Sequence, residues 1–295
     1  MKNKILYTAL ILFVATSMVA AQTTEEVKSI TKHEFSIGAF GGLQSLQYDV
    51  TRGDVSGGIG FGGGLGYFFN LNSKWSIGTG VDFSYYASSY EISTFNGQYI
   101  KDEIRELKKY RSTFDYTVTG YEESQSALML EIPVLARFSL GLGAAQKNAI
   151  QFTAGAKFGF PMSASYTASA AGHQTNKVKL SFEDQEYEGI FPPSLPVPEQ
   201  KGDFDASMSI QALAEVGYRM AIGEKSGLYF GAYFTYGLND IQNTKDGDII
   251  TYSVTNSDLE NHPPKPSYDG VLNTNTASSI RPMGFGLKVH FSFGL

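Results

Sequence analysis

Large apolar residues recur at every second position through the last stretch of the chain, "RPMGFGLKVHFSFGL". Met283, Phe285, Leu287, Val289, Phe291, Phe293 and Leu295 fall on one face of a strand. Gly284, Gly286, Lys288, His290, Ser292 and Gly294 fall on the other. Seven earlier segments repeat this alternation, within about 35–43, 59–69, 75–85, 128–140, 150–160, 210–220 and 228–238. Their apolar faces carry residues such as Ile37, Phe61, Val81, Ile132, Phe152, Val216 and Phe230. Their opposite faces are mostly glycine, serine and a few isolated charges.

That second face decides the environment. In a soluble barrel the charged face turns outward, and here such an exterior would be nearly bare backbone. As the lining of a narrow barrel it is reasonable, because eight strands leave room only for side chains that fill one another's gaps. The apolar face then meets lipid, and ring closure pairs every backbone group without leaving an edge. Composition agrees: 32 Gly, 21 Phe and 18 Tyr favour strands and tight packing over helices.

The connections between segments alternate strictly in length. Short links lie at about 70–74, 141–148 and 222–226, and long ones at about 45–56, 88–125, 162–206 and 240–279. An outer-membrane barrel has this rhythm, with short periplasmic turns, long outer loops and an even strand count. The predicted fold is therefore all-β: an eight-stranded antiparallel transmembrane β-barrel.

The N-terminus is read as an export signal. Lys2 and Lys4 precede an apolar run from Ile5 to about Val14, and small residues end at Val19-Ala20-Ala21. This divides the chain into a signal peptide at 1–21, a short periplasmic leader at 22–32 and a barrel at 33–295. There is no cysteine, so disulfides cannot hold the loops. A formal charge of −6 argues against nucleic acid as a partner. Beyond the signal no stretch approaches the length of a spanning helix.

The charges on the lining are three acids, Asp82, Glu131 and Glu215, and four bases, Arg137, Lys157, Arg219 and Lys288. In a narrow tube of low dielectric they are tolerable only when paired. They are expected to interlock as an ion-pair network that plugs the lumen, with His290 as a hydrogen-bonded filler beside Lys288. His33, His173 and His262 are far apart and lack metal-ligand spacing, so no metal or other cofactor is expected. "GFGGGLG" has no helix after it to make a phosphate loop. "NTKDGD" lacks the closing Glu of a calcium loop and reads as a hairpin tip. No Ser-His-Asp set can be assembled.

Three features mark the long loops. "QYIKDEIRELKKYR" places Ile100, Ile104 and Leu107 at helical spacing and predicts a short amphipathic helix. "FPPSLPVPEQKGD" and "ENHPPKPSYDG" are proline-dense and predict stiff, extended segments.

The stretch "LMLEIPVLARFSL", with Leu130, Glu131, Ile132 and Pro133, resembles the corresponding motif of the PorT-like family of outer-membrane β-barrel proteins. The resemblance runs from Phe35 to Leu295. It implies an eight-stranded barrel in the cell outer membrane. Some members resemble a component of a protein secretion and gliding system, and most have no known activity. Pro133 is unusual within a strand, and a bulge there is expected to accommodate it.

The expected function is a non-enzymatic integral barrel with no catalytic residues. Its partners would be outer-membrane lipid, the barrel assembly machinery during biogenesis, and an envelope or secretion-system protein docked on the loops or inner rim. Two alternatives stand beside it. One is a lipid-modifying barrel enzyme using His173 or His262, and the other is a narrow pore or conduit.

Overall fold

The computed structural model describes residues 31–105, 108–142, 147–182, 185–189, 195–243, 247–253 and 265–295. The leader through residue 30, Leu107, His262 and part of "NTKDGD" lie outside the described residues. The ring consists of eight strands: β1 (His33–Val50), β2 (Ile59–Asn70), β3 (Trp75–Arg105), β4 (Lys108–Leu142), β5 (Asn148–Phe182), β6 (Ser209–Ala221), β7 (Ser226–Gly237) and β8 (Ala277–Gly294). Each pairs antiparallel with its sequence neighbours, and β8 returns to β1. The closing ladder runs from Glu34↔Gly294 to Val50↔Ala277, with one irregularity between Gln47 and Asp49. The ring therefore has no free edge in the spanning zone. No described helix is long and apolar enough to cross a membrane.

The faces lie as the alternation predicts. Ile59, Phe61 and Leu287 are the clearest cases, at 78%, 67% and 71% exposed on the outside of the ring. In water each such side chain would forgo about 1.5–3 kcal/mol of burial. An apolar belt around a closed barrel removes that cost by contacting hydrocarbon. Aromatic pairs sit near the strand ends by the short turns: Trp75 against Phe138 at 4.9 Å, and Phe35 against Tyr67 at 5.2 Å.

Three strands are far longer than a membrane requires. A tilted spanning strand needs about 9–11 residues, whereas β3, β4 and β5 run for 31, 35 and 35. The long connections at 88–125 and 162–206 are thus largely ordered extensions of barrel strands. The β3–β4 ladder continues from Trp75↔Phe138 to Arg105↔Lys108. The stretch expected to form an amphipathic helix is strand through Arg105. Cross-strand partners such as Tyr99↔Phe114 and Gln98↔Asp115 outweigh a helical spacing carried by few apolar positions.

The proline-dense stretches are also strand where described. Leu195–Asp203 pairs with β5 through a register that shifts around Pro196 and Pro198, the irregular pairing proline allows at an edge. Lys265–Tyr268 pairs with Ile250–Ser253. Pro133 departs from expectation differently. No bulge lies at that residue: the β3–β4 ladder keeps one register on both sides, from Thr79↔Val134 to Asp82↔Glu131. Toward β5 the register shift nearest Pro133 lies between Leu128 and Met129.

Candidate functional site

The lumen is built from the inward positions of all eight strands. Its glycines make room for rings as well as for charges. A Cβ on Gly62 would lie 2.3 Å from the Phe40 ring, and one on Gly78 would lie 2.4 Å from the ring of Phe68. Those two phenylalanines fill the tube from β1 and β2.

The predicted charges meet in three groups. Lys157 contacts Glu131 and lies 3.2 Å from Asp82, with its ammonium 5.0 Å from the Phe40 ring centroid. Glu131 is fully buried and also accepts from Ser84 Oγ (2.5 Å), Tyr86 Oη (2.8 Å) and Gln211 Nε2 (2.7 Å). Lys288 Nζ donates to Glu215 Oε1 at 2.7 Å. Arg137 donates to Glu34 Oε1 at 2.7 Å and lays its guanidinium 3.9 Å from the Phe68 ring centroid. Arg219 packs over Gly227 of β7 and forms no ion pair among the described residues. The seven charges therefore do not join directly into one network. His290 is buried and stacks on Tyr229 with centroids 4.4 Å apart.

Sequence reasoning missed Glu34, Phe40 and Phe68. Glu34 lies on the polar face of β1 and was legible by parity, but it sits at the extreme strand end. With it the lining holds four acids (Glu34, Asp82, Glu131, Glu215) and four bases (Arg137, Lys157, Arg219, Lys288), a balanced set. The phenylalanines carry no polar signal, and only their parity places them inside.

A second cluster of buried residues lies toward the long-connection end of the barrel. Leu46, Tyr86, Met129, Tyr121, Tyr166 and Ala168 of the barrel strands bury against Ile249, Ile250, Tyr252, Tyr268, Val271 and Leu272 of the last long connection. Val271–Asn273 forms one 3-10 turn. The Val271 N–H donates to Glu123 at 2.9 Å, and Glu123 also accepts from Tyr121 Oη (2.7 Å) and Gln125 Nε2 (2.8 Å). Burial raises the Glu123 carboxyl above its ordinary value, against the opposing pull of these three donors.

His173, on the extension of β5, holds the other end of the same connection. Its Nδ1 lies 2.7 Å from Tyr268 Oη and its Nε2 2.5 Å from Tyr252 Oη, so both arms of the small hairpin meet one ring. The ring stacks on Tyr116 with centroids 5.7 Å apart. Loss of hydration lowers its pKa to about 4, and burial likewise raises Tyr252 to about 12. His173 is thus a neutral structural joint held by two tyrosines. No cluster of three or more metal-ligating side chains occurs among the described residues.

A closed eight-stranded ring with an apolar exterior and a lining of paired charges defines an integral membrane β-barrel. The chain belongs to the family described as outer membrane protein beta-barrel domain, whose model matches residues 20–243, and this places it in the outer membrane. No curated protein matches the chain. Among solved structures it is similar to Neisserial surface protein A, with 8% identity over 90% of this chain and 97% of that one and a TM-score of 0.35. It is also similar to Ail, the attachment invasion locus protein of Yersinia pestis, with 12% identity over 90% and 100% and a TM-score of 0.25. The translocator domain of the autotransporter NalP from Neisseria meningitidis gives 8% over 99% and 98%, with a TM-score of 0.24. At those scores nothing is read across from them.

Proposed function

We propose that this protein is a non-enzymatic outer-membrane barrel that is plugged by its own side chains and acts through its outer surface. The extensions of β3, β4 and β5 would present that surface to a protein of the envelope or of a secretion system. The reading includes export through a cleaved signal at 1–21 and a place in the PorT-like branch, for which the Leu130-Glu131-Ile132-Pro133 stretch is the support. The observation that carries it is the pairing of lumen charges with one another beneath an outer mouth filled by buried aromatics. Charges arranged to conduct would face a continuous water path; these face carboxylates and rings.

Two measurements test the reading. Purified protein in planar bilayers should show no steady conductance above the leak of the lipid alone, and stable open channels would overturn the plug. A pull-down from solubilised outer membrane should recover a partner with the wild type. It should lose that partner when the β3–β4 extension is cut back to a short turn near Glu91 and Glu122. Equal recovery with and without the extension would remove it as the docking surface.

A further inference from the structure

A cavity of about 40 Å³ lies inside the barrel, lined among others by Asp82, Arg137, Glu215, Lys288 and His290. Its walls thus include Asp82 and Arg137 from two of the ion-pair groups and both members of the third, Glu215 and Lys288. Two of the lining side chains have unmet hydrogen-bonding capacity. His290 is more than nine-tenths buried and its Nε2 has no partner among the described residues; the same holds for Nε of Arg137. A buried polar atom left without a partner is destabilising, so two such atoms on side chains lining one cavity call for an occupant.

Size, charge and polarity select that occupant. One water needs about 10–15 Å³ of such volume, so the cavity holds roughly three and nothing much larger. The lining charges balance as a set: Glu215 pairs with Lys288 and Arg137 with Glu34, Lys157 bridges Asp82 and Glu131, and Arg219 brings the total to four acids and four bases. A bare ion would add an uncompensated charge in a low-dielectric interior. An apolar guest would leave both nitrogens unsatisfied. Water can accept from Arg137 Nε–H, and it can either donate to or accept from His290 Nε2, according to the tautomer.

We infer that the lumen contains a site for a small cluster of ordered water bound to His290 and Arg137. The cluster links the three ion-pair groups, which do not contact one another directly, into one hydrogen-bonded plug. This rests on the plugged-barrel reading and extends it: the plug is hydrated at its centre yet closed at the outer mouth.

The direct test is a crystal structure of the wild-type barrel in detergent at a resolution that shows ordered water. Density within hydrogen-bonding distance of both His290 Nε2 and Arg137 Nε supports the site. An empty cavity, or one closed by direct protein bonds to both nitrogens, overturns it. His290→Phe and His290→Gln, compared by urea unfolding in lipid vesicles, give an independent readout. With bound water the Phe variant expels the cluster and lowers the urea midpoint, and the Gln variant keeps most of it. If the cavity is dry, the Phe variant leaves the midpoint unchanged or raises it, and the inference fails. Channel conductance would sink the plug reading instead, so the two failures are distinguishable.

Discussion

Lys157 faces two carboxylates and one aromatic ring from the middle of β5, and its surroundings show what parity can and cannot reveal. The alternation of the strand places it inside, opposite the lipid-facing row of Ala156 and Phe158. Its need for a counter-charge also follows from burial alone. Its pairing with Asp82 and Glu131 does not, because both lie on other strands. Removing the cation leaves Glu131 buried with neutral donors only. Lys157→Met should therefore destabilise the barrel by about 3–5 kcal/mol. Adding Glu131→Gln should return a large part of that loss. Urea unfolding of the single and double variants in vesicles checks it; a double variant no more stable than the single would refute the pairing. Glu34 teaches the complementary lesson. Parity marks it as a lining residue, but its partner Arg137 is 103 positions away, and only the closed ring brings them together.

At the scale of elements, the extensions and the last connection depart most from sequence expectation. Helical spacing at Ile100 and Ile104 is a local signal, and strand pairing across the β3–β4 hairpin is a cooperative one. The aromatics Tyr99, Phe114 and Tyr116 also face one way, but their packing depends on Tyr252 arriving from the far end of the chain. Two predictions belong here. Glu123→Ala removes the acceptor for Val271 N–H, Tyr121 and Gln125 at once. It should cost about 2–3 kcal/mol and speed amide exchange at Val271; unchanged exchange there would contradict an anchoring role. The second concerns pH. The His173 pKa is lowered from 6.5 to about 4, so the folded state binds its proton less tightly than the unfolded chain. This joint's contribution is full above pH 6.5 and is lost as pH falls from 6.5 toward 4. Glu123, whose pKa is raised, acts in the opposite sense at low pH. Near-ultraviolet circular dichroism of the tyrosines should report loosening of the outer cluster across that window in the wild type. In His173→Phe the window should disappear; its persistence would assign the transition to another group.

For the barrel as a whole, an even number of strands sets the start of β1 and the end of β8 on one side. Leu295 N–H donates to the His33 carbonyl at 3.0 Å, so the first and last strands meet at the short-turn rim. An epitope inserted between Arg105 and Lys108 should be stained on intact cells, whereas one appended after Leu295 should need permeabilised cells. The reverse pattern would invert the assigned orientation. The number of spanning strands, their apolar and lining faces, the alternation of short and long connections and most lining charges were legible in the chain, because period and parity are local properties of a strand. Tertiary structure decided which acid meets which base, that Phe40 and Phe68 lie over glycines, and that three long connections become ordered sheet and buried aromatic core. Those outcomes depend on register between strands far apart in sequence. A shift of one residue would reverse every face, and that register is set only when β8 closes onto β1.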